Sequence, residues 1–135
     1  MDEVKKDPKV VEMSAVAEVN VTEVAEEAFR QQYRELAAEY QALSSRPRVL
    51  ACTPPCAFVP SNRFFRIMND AKFDRVPLIA DLIRTAAGEA GLELVDLYAL
   101  TEGRRELLGP DGLHPSAAGA CAIAEAVHGK LDWAP

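Results

Sequence analysis

The chain has 135 residues, 15 Lys and Arg against 21 Asp and Glu, and 49% hydrophobic residues, a composition that suits one globular domain with its own core and argues against two. A net charge of -6 argues against a nucleic-acid partner or a polybasic membrane surface, because both require basic groups arrayed against phosphates. No apolar run approaches the roughly 18 residues of a membrane span, and the start, MDEVKKDPK, lacks the apolar stretch of a signal peptide, so a cytoplasmic chain is expected, with Cys52, Cys56 and Cys121 as free thiols rather than a disulfide framework.

Residues 1–7 read as a polar tail. Lys9 to Val16 (KVVEMSAV), a short apolar run rich in β-branched residues after Pro8, reads as a buried strand. Asn20 and Glu23 then form a capping-box pattern, and Val21, Val24, Ala25, Ala28, Phe29, Tyr33, Leu36, Ala37, Tyr40 and Leu43 recur at helical spacing. The charge is concentrated here: residues 1–45 hold ten acids and five bases, mostly on the opposite, solvated side of this helix. Ser44, Ser45 and Pro47 stop it, and Arg48–Cys52 reads as a second strand.

Residues 53–74 carry three prolines and no clean period. They read as a long loop with a short helix near Phe64–Asn69, packed down by Phe58, Phe64, Phe65 and Ile67. A helix follows from Arg75 to a stop at Gly91, with Pro77 tolerated in its first turn. Leu92–Leu97 is the third strand, Leu100–Leu107 a short helix, Gly109-Pro110-Asp111-Gly112 a turn, and Ser116–His128 the last helix, with small residues Ala117, Ala120 and Ala124 along one face. This alternation of strand and helix predicts a three-layer α/β/α fold with a parallel sheet and right-handed crossovers. Ligands in such sheets bind beyond the carboxyl ends of the strands, which directs attention to Ala15–Asn20, the Thr53 loop, and Tyr98–His114.

Neither a P-loop nor a dinucleotide fingerprint is present, and the Cys52–Cys56 pair lacks a second pair of ligands, so no cofactor or metal is expected. The informative segment is Asp111-Gly112-Leu113-His114-Pro115. A carboxylate three residues before an imidazole can accept from one ring nitrogen and present the other as a general base. The competing reading of the same residues is a plain turn ahead of a helix. His128, beside Gly129, reads as a helix C-terminal partner. Ser116 reads as a helix cap.

From Leu107 to Leu131 (LLGPDGLHPSAAGACAIAEAVHGKL) the sequence resembles the C-terminal block of the SGNH, or GDSL-type, esterase and lipase family, in which Asp-x-x-His-Pro precedes a helix bearing a Gly and an Ile-Ala pair. Asp111, His114, Pro115, Gly119 and Ile123-Ala124 supply these in order. FRQQYREL, PRVLACTPP and LELVDLY look like later elements of the acetylesterase-like branch. The resemblance implies a flavodoxin-like SGNH hydrolase fold and an ester hydrolase acting on small acyl esters, with His114 as base and Asp111 as its orienter. It also implies a Gly-Asp-Ser nucleophile motif and a Gly-x-Asn-Asp motif, and neither occurs. Aligning KVVEM with the family's third strand puts Ala15, Val16, Ala17 and Glu18 at the latter. Ser14, Ser61 and Asn20 are weak substitutes. On this alignment the single domain, residues 1–135, reads as truncated, without the first two strand-helix units. The expected partners are a small ester and, at an open edge of Lys9–Val16, a second copy or a complementing chain. The alternative to an active esterase is a non-catalytic remnant serving as a binding or assembly module; a third reading is a generic flavodoxin-like binding domain.

Overall fold

The computed structural model describes residues 8–67 and 75–131, with side chains from residue 24 onward. The elements run in the order helix α1 (Pro8–Gln41), strand β1 (Leu50–Cys52), helix α2 (Arg75–Glu89), strand β2 (Glu93–Val95), helix α3 (Leu97–Thr101), a 3-10 turn (Arg105–Leu107) and helix α4 (Ala117–His128). Strands β1 and β2 are parallel and in register as Leu50 with Glu93, Ala51 with Leu94 and Cys52 with Val95. The crossover between them contains α2, the strand-helix-strand arrangement predicted for this part of the chain.

The N-terminal expectation is overturned. Lys9–Val16 is not a strand but lies within α1, so the sheet has two strands among the described residues rather than three. The sequence accounts for the helix. Pro8 is well suited to the first helical position, where its missing N–H has no intrahelical acceptor. No Gly or Pro separates Val16 from Asn20, so nothing breaks the helix there, and a continuous helix bonds its own backbone without a neighbouring strand. Asn20 and Glu23 fall in the helix interior rather than at its start. The open sheet edge expected at Lys9–Val16 is not there; among the described residues β1 and β2 each have one unpaired edge.

Two side-chain ties bracket the short ladder. At the entry, Arg48 donates through Nε to Glu93 Oε2 at 2.6 Å and through Nη2 to Glu93 Oε1 at 2.8 Å. At the exit, Thr53 Oγ1 donates to Asp96 Oδ1 at 2.9 Å. Helix α2 supplies much of the core through Ala80, Ile83, Ala86 and Ala87, joined by Ala51, Val95, Leu97, Leu107 and Leu108. It ends where predicted. Gly91 takes φ +65°, and the Leu92 N–H returns to the Ala87 carbonyl at 2.9 Å, closing the helix as glycine C-caps do.

Helix α1 packs against α2, with Ala37 buried and Phe29 and Tyr33 half-buried. Glu89, at the end of α2, accepts from both Arg30 and Arg34. The apolar face of α1 is only partly covered: Leu36, Tyr40 and Leu43 are about half exposed. With Tyr33, Ala37, Val49, Leu50 and Leu92, Leu36 and Tyr40 line a shallow groove of about 190 Å³ beside the start of β1. The Thr53 loop also departs from expectation. Its first part is anchored, with Thr53 and Pro60 buried, but Phe64 and Ile67 in and beside the helical turn over 63–67 are 64% and 68% exposed. Phe64 and Phe65 pack edge-on against each other, 5.6 Å between centroids. Among the described residues of the loop, the hydrogen bonds that tie it to the rest of the fold are those of Thr53, Cys56 and Phe58, before Pro60. No described helix is long and apolar enough to cross a membrane.

Candidate active site

Each of the two strands ends on a polar residue that fixes the start of the next segment. Asp96, directly after β2, caps α3 by accepting the Ala99 N–H at 3.1 Å. It also receives Arg84 from α2, Nε to Oδ2 at 2.9 Å and Nη2 to Oδ1 at 3.0 Å. The Arg84 guanidinium, foremost among several causes, holds the Asp96 carboxyl below the usual carboxylate range. Thr53, directly after β1, donates to Asp96 and accepts the Tyr98 N–H at 2.9 Å. The carboxyl end of the sheet is thereby a rigid polar platform, with Arg84 also 5.4 Å over the Tyr98 ring.

The Asp111–His114 segment sits on a turn between the 3-10 turn and α4, held against the loop that follows Thr53. The Gly109 N–H donates to the His114 carbonyl at 2.6 Å, and Leu108 and Pro115 form an antiparallel bridge. Ser116 begins α4: its Oγ accepts the Gly119 N–H at 3.1 Å and donates to the Glu106 carbonyl at 2.7 Å. Its hydroxyl is therefore a cap, as its position suggests. Gly119 lies so close under the 3-10 turn that a Cβ there would come within 1.8 Å of the Leu107 carbonyl oxygen. Gly112, at φ +74°, has the same relation to the Phe58 carbonyl, also 1.8 Å. The Phe58 N–H donates to the Gly112 carbonyl at 2.9 Å, so the Thr53 loop and the Asp-x-x-His turn share one interface.

Within the turn, Asp111 Oδ1 accepts the backbone N–H groups of Leu113 and His114, both at 3.0 Å, while Oδ2 pairs with His114 Nδ1. Burial of Asp111, 17% exposed, would raise its pKa. The bonds from the imidazole and the two backbone N–H groups outweigh that effect and hold it at about 2. The carboxylate is charged throughout the neutral range and acts as an acceptor, which favours the tautomer with hydrogen on Nδ1 and a lone pair on Nε2. The His114 side chain is 84% exposed, so that lone pair is open to an incoming molecule.

The remaining sequence-picked residues fall elsewhere. Ser14, Ala15–Glu18 and Asn20 lie within α1, and their side chains fall outside the described residues; the strand end they were expected to mark is a helix interior. Ser61 is exposed just past Pro60. His128 is in the last turn of α4. Cys52, Cys56 and Cys121 are free thiols. Among the described residues no three His, Cys, Asp or Glu side chains cluster as a metal site would need. Sequence reasoning reached the Thr53 loop and the Tyr98–His114 stretch without singling out Thr53 or Thr101, and it missed Arg84 and Asp96. The available signal was positional: Thr53 and Asp96 are the first polar residues beyond the carboxyl ends of the two strands.

A parallel sheet crossed by α2, with an Asp-x-x-His turn held against the loop that leaves the carboxyl end of β1, defines an α/β protein. The sequence profile of the GDSL-like lipase/acylhydrolase family matches residues 18–121, and the chain belongs to that family. It is 32% identical over 91 residues to an acetylxylan esterase of Xylanibacter ruminicola, an alignment covering 67% of this chain and 18% of the relative. Among solved structures, the esterase domain of the ZfL2-1 ORF1 protein from the zebrafish ZfL2-1 retrotransposon superposes with a TM-score of 0.62 at 24% identity, covering 78% of this chain and 58% of the other. A lipase/acylhydrolase from Enterococcus faecalis gives 0.51 at 24% identity, covering 78% and 55%. These two share the fold. The chain thus spans less than two thirds of each of these three proteins, and the family and the acetylxylan esterase relative alike point to the esterase-type acylhydrolases.

Proposed function

We propose that this chain carries the base of an ester-hydrolysing site, with His114 as general base and Asp111 as the carboxylate that orients it. The observation that supports this reading is the pairing of a carboxylate held at about 2 with Nδ1 of an imidazole whose ring is open to solvent. In that arrangement Nε2 accepts the proton of an attacking hydroxyl as it adds to the ester carbonyl. Asp111 stabilises the resulting imidazolium, and the proton then passes to the departing alkoxide. The substrate class we propose is a small acyl ester, acetyl on a sugar or similar alcohol, by analogy with the relative's name.

The direct test is hydrolysis of a short-chain aryl acetate, together with labelling by a serine-directed phosphonate. His114→Ala is expected to lower the rate by roughly 10²–10⁴. Activity that survives His114→Ala removes the base assignment. Folded protein that shows neither hydrolysis nor labelling removes the esterase reading for this chain.

A second reading, a binding or assembly module that retains the fold without turnover, is favoured by two observations. No Gly-Asp-Ser occurs in the 135 residues, and Leu36, Tyr40 and Leu43 leave a half-exposed apolar stretch along α1.

A further inference from the structure

Two buried polar side chains, Thr53 and Thr101, stand among the otherwise apolar core, and no step of ester hydrolysis uses either. Thr53 is accounted for by the platform it builds with Asp96 and Tyr98. Thr101, at the end of α3, is joined to a different segment. Its Oγ1 donates to the Leu97 carbonyl at 2.7 Å, with the Tyr98 carbonyl at 3.3 Å, and accepts the Cys56 N–H at 2.7 Å. Two residues beyond Cys56, Phe58 makes the contact that holds the Asp-x-x-His turn: its N–H bonds the Gly112 carbonyl, and its own carbonyl oxygen fills the space where a Cβ of Gly112 would be. Arg105 supports the same junction, with its guanidinium 5.9 Å from the Phe58 ring centroid and Nη1 bonded to the Leu108 and Gly109 carbonyls at 3.0 and 2.9 Å.

We infer that Thr101 is a positioning residue for the Asp111–His114 pair, acting through the Cys56–Phe58 segment. The hydroxyl sets the height of that segment over α3. Phe58 in turn presses on Gly112 and keeps it in the left-handed conformation, with φ +74°, that lets Asp111 reach back to the His114 imidazole and both backbone N–H groups. Without the hydroxyl, the Cys56 N–H loses its acceptor, the segment lifts, and Gly112 is no longer confined.

The functional consequence rests on the catalytic reading of the pair, but the test needs no substrate. Asp111 is titrated by carboxyl NMR, and amide exchange is followed at Cys56 and Phe58, in the full chain carrying Thr101→Val, Thr101→Ser or no substitution. Thr101→Val is expected to speed exchange at both amides and to move the Asp111 pKa from about 2 up toward the ordinary value of about 4, while Thr101→Ser preserves both. If Thr101→Val does not fold, Cys56→Pro removes the donor of the same bond and leaves the buried hydroxyl in place; the same rise is expected. A folded variant in which the Cys56 bond is lost yet Asp111 still titrates near 2 overturns the inference. Failure of the esterase assay would not touch it.

Discussion

At Asp111, burial and hydrogen bonding act in opposite directions on one carboxyl, and the bonds prevail. The folded-state pKa, about 2, lies below the 3.8 of the unconstrained group. Its contribution to stability is therefore fully present above pH 4 or so and is lost as pH falls through about 2. The stability difference between wild type and Asp111→Asn, measured by urea unfolding, is expected to shrink steadily across that window; a difference that stays constant from pH 5 to pH 2 would contradict the pairing. The same substitution bears on chemistry. An amide nitrogen in place of Oδ2 would face Nδ1 as a donor and favour the wrong tautomer, so under the proposed mechanism the rate of ester hydrolysis should fall by roughly 10³–10⁴. The pair was legible in the sequence because its members are three residues apart and one turn settles their geometry. Thr101 was not, because its partner Cys56 lies 45 residues away and a lone threonine near a helix end carries no pattern.

Among elements, the legible ones are those bounded by chain breakers. Helix α2 lies between Pro77 in its first turn and Gly91 past its end, and strands β1 and β2 are short apolar runs between polar turns. Lys9–Val16 has a clear start at Pro8 but no stop. Its valines fit either period, and continuity with the helix beyond decided the outcome. The glycines of the site region illustrate how packing, rather than propensity, fixes an element's ends. Gly119→Ala would push a methyl group against the Leu107 backbone and is expected to cost on the order of 3 kcal/mol. Gly88, inside α2 with nothing within 4 Å of its would-be Cβ, should respond with the opposite sign: Gly88→Ala is expected to stabilise by about 0.5–1 kcal/mol. Chemical denaturation of the two variants side by side checks the contrast, and a destabilised Gly88→Ala would refute it.

At the scale of the molecule, the sheet, two-stranded among the described residues, is the decisive feature. Two strands alone are marginal in water, and α2 with its apolar contacts supplies the cover that makes this pair stable. The half-exposed Leu36, Tyr40 and Leu43 of α1 and the unpaired edges that the sheet has among the described residues are the surfaces on which an assembly role would depend. Sedimentation velocity over a wide concentration range is expected to show self-association that Leu36→Lys weakens; a folded protein that stays monomeric throughout would remove that reading. The ties at the two ends of the ladder carry a kinetic implication as well. Arg48 reaches Glu93 across 45 residues and Thr53 reaches Asp96 across 43, whereas Asp111 and His114 meet across three. Closing a loop of some 45 residues costs more entropy than closing a turn, and such contacts come late as a chain folds. The Asp-x-x-His turn can therefore form transiently before the sheet exists, but it is held in its working geometry only after the longest loops have closed, so the site is finished last.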